Sequence, residues 1–273
     1  MSFQMYLFVI TFRYHCAFPV HMPGGKIEKQ GKLNRLDMQE VYHHYPFVRP
    51  AIDDIVYLAQ GVDILPSGDK FKIFKMKGLE YQPFSDDFGP LNMSCITHFI
   101  EMVNQELDDI KDSVIIFCVD KGSRALTNAV FLLGCYHILA LRRSADFVTG
   151  IFDWADHTLL ETYRGVGSSA FNFDLQIIDC WRGLEKAMAA HWVLMTADGE
   201  YWGMINIDEY RHYDNPCNGD LHMVVPGRFL AFAGPIDLEG EADFLDDKSG
   251  FRTFSPNFYA DLFEDLQVLL RIR

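Results

Sequence analysis

Five residues separate Cys118 from Arg124 in the stretch Ser113 to Gly134, SVIIFCVDKGSRALTNAVFLLG. An apolar run ends at Cys118, and Arg124 opens a second one. This is the spacing of a phosphate-binding thiolate loop. Backbone N–H groups and a helix N-terminus hold the oxyanion there, and the arginine clamps it through two parallel hydrogen bonds. The cysteine attacks phosphorus as a thiolate. A general acid would come from Asp87 or its neighbour Asp86, in a loop before the preceding helix. Four features oppose that chemistry. Phe117 stands where a histidine orients such a loop, and Asp120 puts a carboxylate where a phosphate dianion would sit. Gly122 is the only glycine between Cys118 and Arg124, which limits a tight N–H nest. Ala125 replaces the hydroxyl that helps expel the thiolate. A plain turn or cap role for Asp87, before Gly89-Pro90, is the bland alternative.

The elements that must position these residues alternate between strand and helix. Asp54 to Ala59 reads as a short strand. Lys70 to Lys75, KFKIFK, alternates like a half-exposed strand. Leu91 to Leu107 places Ile96, Phe99, Ile100, Val103 and Leu107 on one helical face. Val114 to Cys118 is a continuous apolar strand, as expected for a parallel sheet buried on both faces. Ala125 to Leu141 is apolar nearly all round and reads as a buried central helix. Leu175 to Ala190 is amphipathic, with Leu175, Ile178, Leu184 and Met188 on the apolar side. The fold class is α/β, a three-layer sandwich on a central, largely parallel sheet.

The chain has 273 residues, 49% of them hydrophobic, and a net charge of −14. It has enough apolar surface for a sizeable core, which excludes wholesale disorder. The negative charge opposes nucleic acid and anionic membrane as partners and suits basic ones. The six cysteines (Cys16, Cys95, Cys118, Cys135, Cys180, Cys217) follow no framework spacing. Free thiols in a reducing compartment are expected. With no Cys-x-x-Cys pair, no metal site is expected. His43-His44 reads as surface loop. Gly165-Val166-Gly167-Ser168-Ser169 reads as a plain turn, and Asp237 to Asp247 as a solvated acidic loop.

Met5 to Phe12, MYLFVITF, is apolar but far shorter than the roughly twenty residues of a membrane span. It lacks the cationic start of a signal peptide. It reads as an N-terminal strand or as an extension outside the domain, and His21 to Leu33 as a polar linker. Near residue 213 a second unit begins. Ile207 to Tyr213 reads as a linker helix, Asn218-Gly219-Asp220 as a turn, and Met223 to Gly234 as strand. Gly227 to Ala231 echoes Ile55 to Ala59. Leu266 to Arg273, LQVLLRIR, reads as a buried strand. The organisation expected is therefore an unassigned extension at 1–46, an α/β domain at 50–198, a linker helix at 199–214, and an incomplete second copy of the fold at 215–273. Apolar edges on that incomplete copy would favour self-association.

Several motifs resemble one family. Phe84 to Asn92, FSDDFGPLN, resembles the D-F-G-P-L-N signature of the Cdc-fourteen family of dual-specificity protein phosphatases. Asn128 to Tyr136, NAVFLLGCY, resembles that family's N-A-A-F-L-I-G-C-Y helix. Phe171 to Met188 resembles its next long helix, and Asp208-Glu209-Tyr210 with His212-Tyr213 its linker helix. Asn218 to Leu221, followed by Val225 to Pro235 (VPGRFLAFAGP), is the most specific match. The motifs are collinear and cover roughly residues 50 to 273.

The resemblance implies two tandem phosphatase-like domains, of which the first has the fold without the chemistry. It implies that this domain helps to shape an acidic groove selecting a basic side chain after a phosphoserine-proline. Asp53, Asp146, Asp208 and Glu209 are the groove candidates. Catalysis would belong to an H-C-x-x-G-x-x-R-T loop, and no His-Cys pair with a downstream arginine and hydroxyl follows residue 213. The function expected is the substrate-shaping part of a phosphatase acting on tyrosine and proline-directed serine or threonine, inactive on its own. Its partners would be phosphoproteins with basic residues near the phosphosite. It would need no cofactor and would work inside the cell, in nucleus or cytoplasm. One alternative is a minimal cysteine phosphatase using Cys118, Arg124 and Asp87. Another is a scaffold for phosphorylated basic motifs.

Overall fold

A computed structural model describes residues 6–9, 47–61, 71–75, 81, 83, 86–110, 113–165, 175–193, 207–225, 229–238, 240, 242–248, 252–266 and 268. The chain forms two compact units. The first strand in chain order, β1 (Tyr6–Val9), belongs to the second unit. The His21–Leu33 linker, His43-His44 and residues 166–169 of the glycine-rich loop lie outside the described residues. So do 199–206 of the expected linker helix and 269–273 of the expected last strand.

The first unit is built on a four-stranded mixed sheet. Its strands are β2 (Val48–Ile52), β3 (Val56–Gln60), β4 (Phe71–Phe74) and β5 (Val114–Val119), in the order β2-β3-β5-β4. β5 runs parallel to both neighbours, with Ala59 opposite Cys118 and Phe74 opposite Phe117. β2 pairs antiparallel with β3 through a tight turn. Asp53 and Asp54 occupy that turn at φ 44 and 54, and the Ile55 N–H closes it on Ile52 O at 2.9 Å. Two positive φ angles in a hairpin turn suit Asp, whose short polar side chain tolerates the left-handed region. Asp54 is thus a turn residue, and the strand expected from 54 starts at Val56. Pro50, which cannot donate to a ladder, sits on the edge strand beside a bulge.

Among the described residues, four helices accompany this sheet: α1 (Met93–Asp109), α2 (Ser123–Leu139), α3 (Ala145–Ile151) and α4 (Ile177–Ala189). The Asn92 side chain caps α1 by accepting from Cys95 N at 3.0 Å. The expected apolar face of α1 is buried, and Phe99 meets Phe117 of the sheet with ring centroids 5.4 Å apart. Burying a side chain of this size stabilises by about 1.5–3 kcal/mol. α2 is buried from Leu126 to Leu139, as its all-round apolar sequence requires. α4 lies against it, where Trp181 Nε1 donates to Phe131 O at 3.1 Å. Gly134 makes that approach possible, because a Cβ there would overlap the Trp181 indole. This unit is the α/β fold that the alternation of elements implies.

The second unit contains α5 (Ile207–Asp214), β6 (Leu221–Val225), β7 (Phe229–Phe232), β8 (Phe244–Asp246), β9 (Arg252–Phe254) and α6 (Pro256–Asp265). β7 pairs antiparallel with β6 and with β1, and β8 pairs with β9. The β6–β7 hairpin matches β2–β3 in sense. The other neighbour differs: β3 has the parallel β5, whereas β7 has the antiparallel β1. Leu230, Phe232, Phe254, Tyr259 and Phe263 form the core. Ser255 caps α6 and Pro256 opens it. Leu266, expected to begin a strand, instead closes this helix, its N–H bonded to Leu262 O at 3.0 Å. Within the acidic stretch 237–247, Phe244–Asp246 is strand rather than loop.

Candidate functional site

β5 ends at Val119, and the chain turns through Asp120, Lys121 and Gly122 into α2. Gly122 sits at φ 117, a backbone shape that side chains rarely allow. Neighbouring β3 ties this turn down. Gly61 N donates to Val119 O at 3.0 Å, and Gln60 Nε2 donates to Asp120 O at 3.1 Å and Gly122 O at 2.7 Å. Gly61 also leaves room for the Lys121 stem; a Cβ there would lie 2.8 Å from Lys121 Cγ. The turn stands at the carboxyl ends of parallel strands, the usual ligand edge of an open α/β sheet.

Beside it opens a cleft of about 550 Å³ that both Cys118 and Arg124 line. Arg124 Nε donates to both carboxylate oxygens of Glu161, at 3.1 and 3.2 Å. Its guanidinium carbon lies 5.1 Å from the Phe88 ring centroid. Arg164 Nη1 donates to Glu161 Oε1 at 2.7 Å and Ser123 Oγ to Oε2 at 3.2 Å. Burial opposes ionisation of Glu161, but the Arg164 and Arg124 hydrogen bonds outweigh it and hold the carboxyl below its usual range. Glu161 is brought to the cleft by a backbone exchange between Phe88 and Arg164, at 2.9 and 2.7 Å.

The thiol sits inside the sheet. Cys118 is buried within β5, on the face it shares with Tyr57, Ala59, Val114 and Ile116. Burial pushes it up to about 11, against the opposing charge of Lys75. A nucleophilic cysteine needs the reverse shift. Phe117, at the histidine position of a working loop, is a core side chain between Phe74 and Phe99, 5.4 Å from each. The Asp120 carboxylate forms an ion pair with Lys75 at 2.7 Å.

The remaining sequence candidates fall elsewhere. Asp87 is buried and accepts a hydrogen bond from Tyr81 Oη; Tyr81 lines the cleft and Asp87 does not. Burial and that bond push the Tyr81 hydroxyl up to about 12. Asp86 is exposed, and its carbonyl accepts from Arg164 Nε at 3.1 Å. Asp53 is gripped by Arg143 Nη2 at 2.5 and 2.7 Å, and Asp146 meets Arg182 at 3.1 Å. Asp208 and Glu209 begin α5 in the other unit, and Asp208 stands 3.9 Å from Arg211.

Sequence reasoning did not find Glu161, Gln60 or the site role of Asn128. Glu161 and Gln60 lie in unpatterned chain or at a strand end, where nothing in the sequence marks them. Asn128 carries a signal, as a polar side chain in an apolar helix one turn beyond Arg124. Among the described residues no three His, Cys, Asp or Glu side chains gather as a metal site, and no helix is long and apolar enough to cross a membrane.

A parallel-strand edge, a Cys-x5-Arg turn and a helix N-terminus on one cleft define a domain of the cysteine-phosphatase type. The family model for the N-terminal half of dual specificity protein phosphatases matches residues 51–187, and the chain belongs to that family. It is similar to human dual specificity protein phosphatase CDC14C, 32% identical over 197 residues, 71% of this chain and 41% of that protein. Mouse dual specificity protein phosphatase CDC14B is 30% identical over 197 residues, 71% of this chain and 38% of its own. The tyrosine-protein phosphatase cdc-14 of Caenorhabditis elegans is 29% identical over 200 residues, 71% and 26% respectively. The chain thus spans well under half the length of these relatives.

Proposed function

We propose that the first unit is a non-catalytic, substrate-shaping domain of a dual-specificity protein phosphatase. The observation that carries this reading is the state of Cys118: a strand residue in an apolar cluster, with its thiol pushed up to about 11. At neutral pH such a thiol holds almost no thiolate, so the first step of a cysteine-phosphatase reaction has no nucleophile. Nor does Asp87 line the cleft to serve as general acid. The partners would be phosphoproteins with basic residues near the phosphosite, selected by carboxylates of which Asp53, Asp146, Asp208 and Glu209 are the candidates, in the nucleus or cytoplasm. Asp53 and Asp146 each already hold an arginine, so a basic side chain of a substrate would exchange with or extend those pairs.

The purified chain is expected to release no phosphate from p-nitrophenyl phosphate, phosphotyrosine peptides or phosphoserine-proline peptides. Alkylation of Cys118, followed on its own peptide by mass spectrometry, should be slow at pH 7 and accelerate only as pH climbs towards about 11. A burst of product that vanishes in Cys118→Ser would overturn the proposal and favour the minimal phosphatase.

A further inference from the structure

The cleft keeps the parts that hold an oxyanion although its thiol is buried. Lys75, Lys121 and Arg124 line it against Asp120 and Glu161, a local cationic excess in a chain of net charge −14. Glu161 grips Arg124 by Nε alone. The two terminal nitrogens of that guanidinium, the fork that binds a phosphoryl group bidentately, have no partner among the described residues. Glu161 and the Phe88 ring thus aim Arg124 without consuming it.

The first turn of α2 faces the same space. Its N-cap, Gly122, offers no side chain, and no described residue accepts from the N–H groups of Ser123, Arg124 or Ala125. Unpaired N–H groups at the start of a 17-residue helix favour an anion. One turn further on, Asn128 also lines the cleft. It is 7% exposed, and its Oδ1 has no hydrogen-bond partner. A buried amide left unpaired is costly, so it marks a place where a ligand completes the site. A phosphate monoester fits either amide orientation: P–OH donates to Oδ1, or the flipped Nδ2 donates to a phosphoryl oxygen.

We propose that this cleft is a binding site for a tetrahedral phosphate group, and that it holds a phosphate monoester there without breaking the ester P–O bond. The proposal rests on the non-catalytic reading above. Its ligand is a phosphorylated side chain or free phosphate, since both present the same tetrahedral oxyanion.

The test is titration of the full chain with inorganic phosphate, with tungstate as a phosphate mimic, and with a phosphotyrosine peptide, followed by ¹H–¹⁵N spectra and calorimetry. Saturable shifts are expected at the Ser123, Arg124 and Ala125 amides and at the Asn128 side chain. Arg124→Met should weaken binding by about tenfold, and the exposed Lys121→Ala by about threefold. If Arg124→Met does not fold, Lys121→Ala carries the test. Tighter binding of the peptide than of inorganic phosphate assigns the site to phosphoproteins, and equal binding assigns it to free phosphate. No binding at millimolar ligand, or binding that neither substitution alters, overturns the proposal and leaves the non-catalytic reading intact. Release of phosphate from the peptide would instead overturn that reading.

Discussion

Glu161 holds Arg124 by its Nε, at 3.1 and 3.2 Å, and leaves the outer edge of the guanidinium open to the cleft. The carboxylate plays two opposed parts. It fixes the arginine in place, and it sets a negative charge beside any anion that arrives. Glu161→Gln separates them, because the amide oxygen still accepts from Nε while the charge is gone. Phosphate or tungstate affinity should then rise by roughly two- to fivefold, read by calorimetry. Arg124→Lys should weaken the same binding, because an ammonium lacks the planar fork.

Gly134 and Trp181 bring α2 and α4 into close approach. A Cβ at 134 would overlap the indole, whose Nε1 is anchored to Phe131 O at 3.1 Å. Neither partner can yield without losing that bond or moving α4. Gly134→Ala should cost about 1–3 kcal/mol despite its better helix propensity. Urea unfolding of the variant beside wild type measures it. An unchanged midpoint would show that α4 is free to shift.

His137 sets an acid limit on the first unit. Its Nε2 pairs with Ala51 O at 2.7 Å, so that nitrogen carries the proton, and Nδ1 accepts from Arg143 Nη1 at 3.1 Å. Burial, aided by the Arg143 charge, lowers its pKa from 6.5. The unfolded chain therefore binds the proton more readily. The stability contribution is fully present above pH 6.5 and is lost as pH falls below it towards the depressed native value. Unfolding midpoints at pH 8 and pH 5 should differ less in His137→Gln than in wild type.

His222, in the second unit, has the opposite sign. Asp214 at 2.7 Å and Asp220 at 3.4 Å raise its pKa to about 9. Its contribution is complete below pH 6.5 and disappears as pH rises through about 9. The proton NMR titration of its ring should show a midpoint well above that of an exposed histidine. Asp214→Asn should bring the midpoint back towards 6.5.

The elements were legible because their signals are local. The apolar stripe Ile96, Phe99, Ile100, Val103 and Leu107 repeats with the helix period, and it is the face that α1 buries. The continuous run at 114–118 announced a strand buried on both faces, and β5 lies at the centre of the sheet between two parallel neighbours. Asp54 shows the limit, because the choice between strand and turn there depends on two positive φ angles that no residue type demands. The pairing of Tyr6–Val9 with β7, more than two hundred residues along the chain, also has no local signal.

By itself the sequence determined the family motifs, the α/β alternation and the spacing of Cys118 and Arg124. Each of these is a property of neighbouring residues and their period. Only the tertiary structure decided what the spacing is worth. It placed Cys118 among Tyr57, Ala59 and Ile116, where desolvation keeps the thiol protonated. It also carried Glu161 to Arg124 from 37 positions away. Protonation and charge pairing are set by what surrounds a group in space, and that environment forms only when the chain folds.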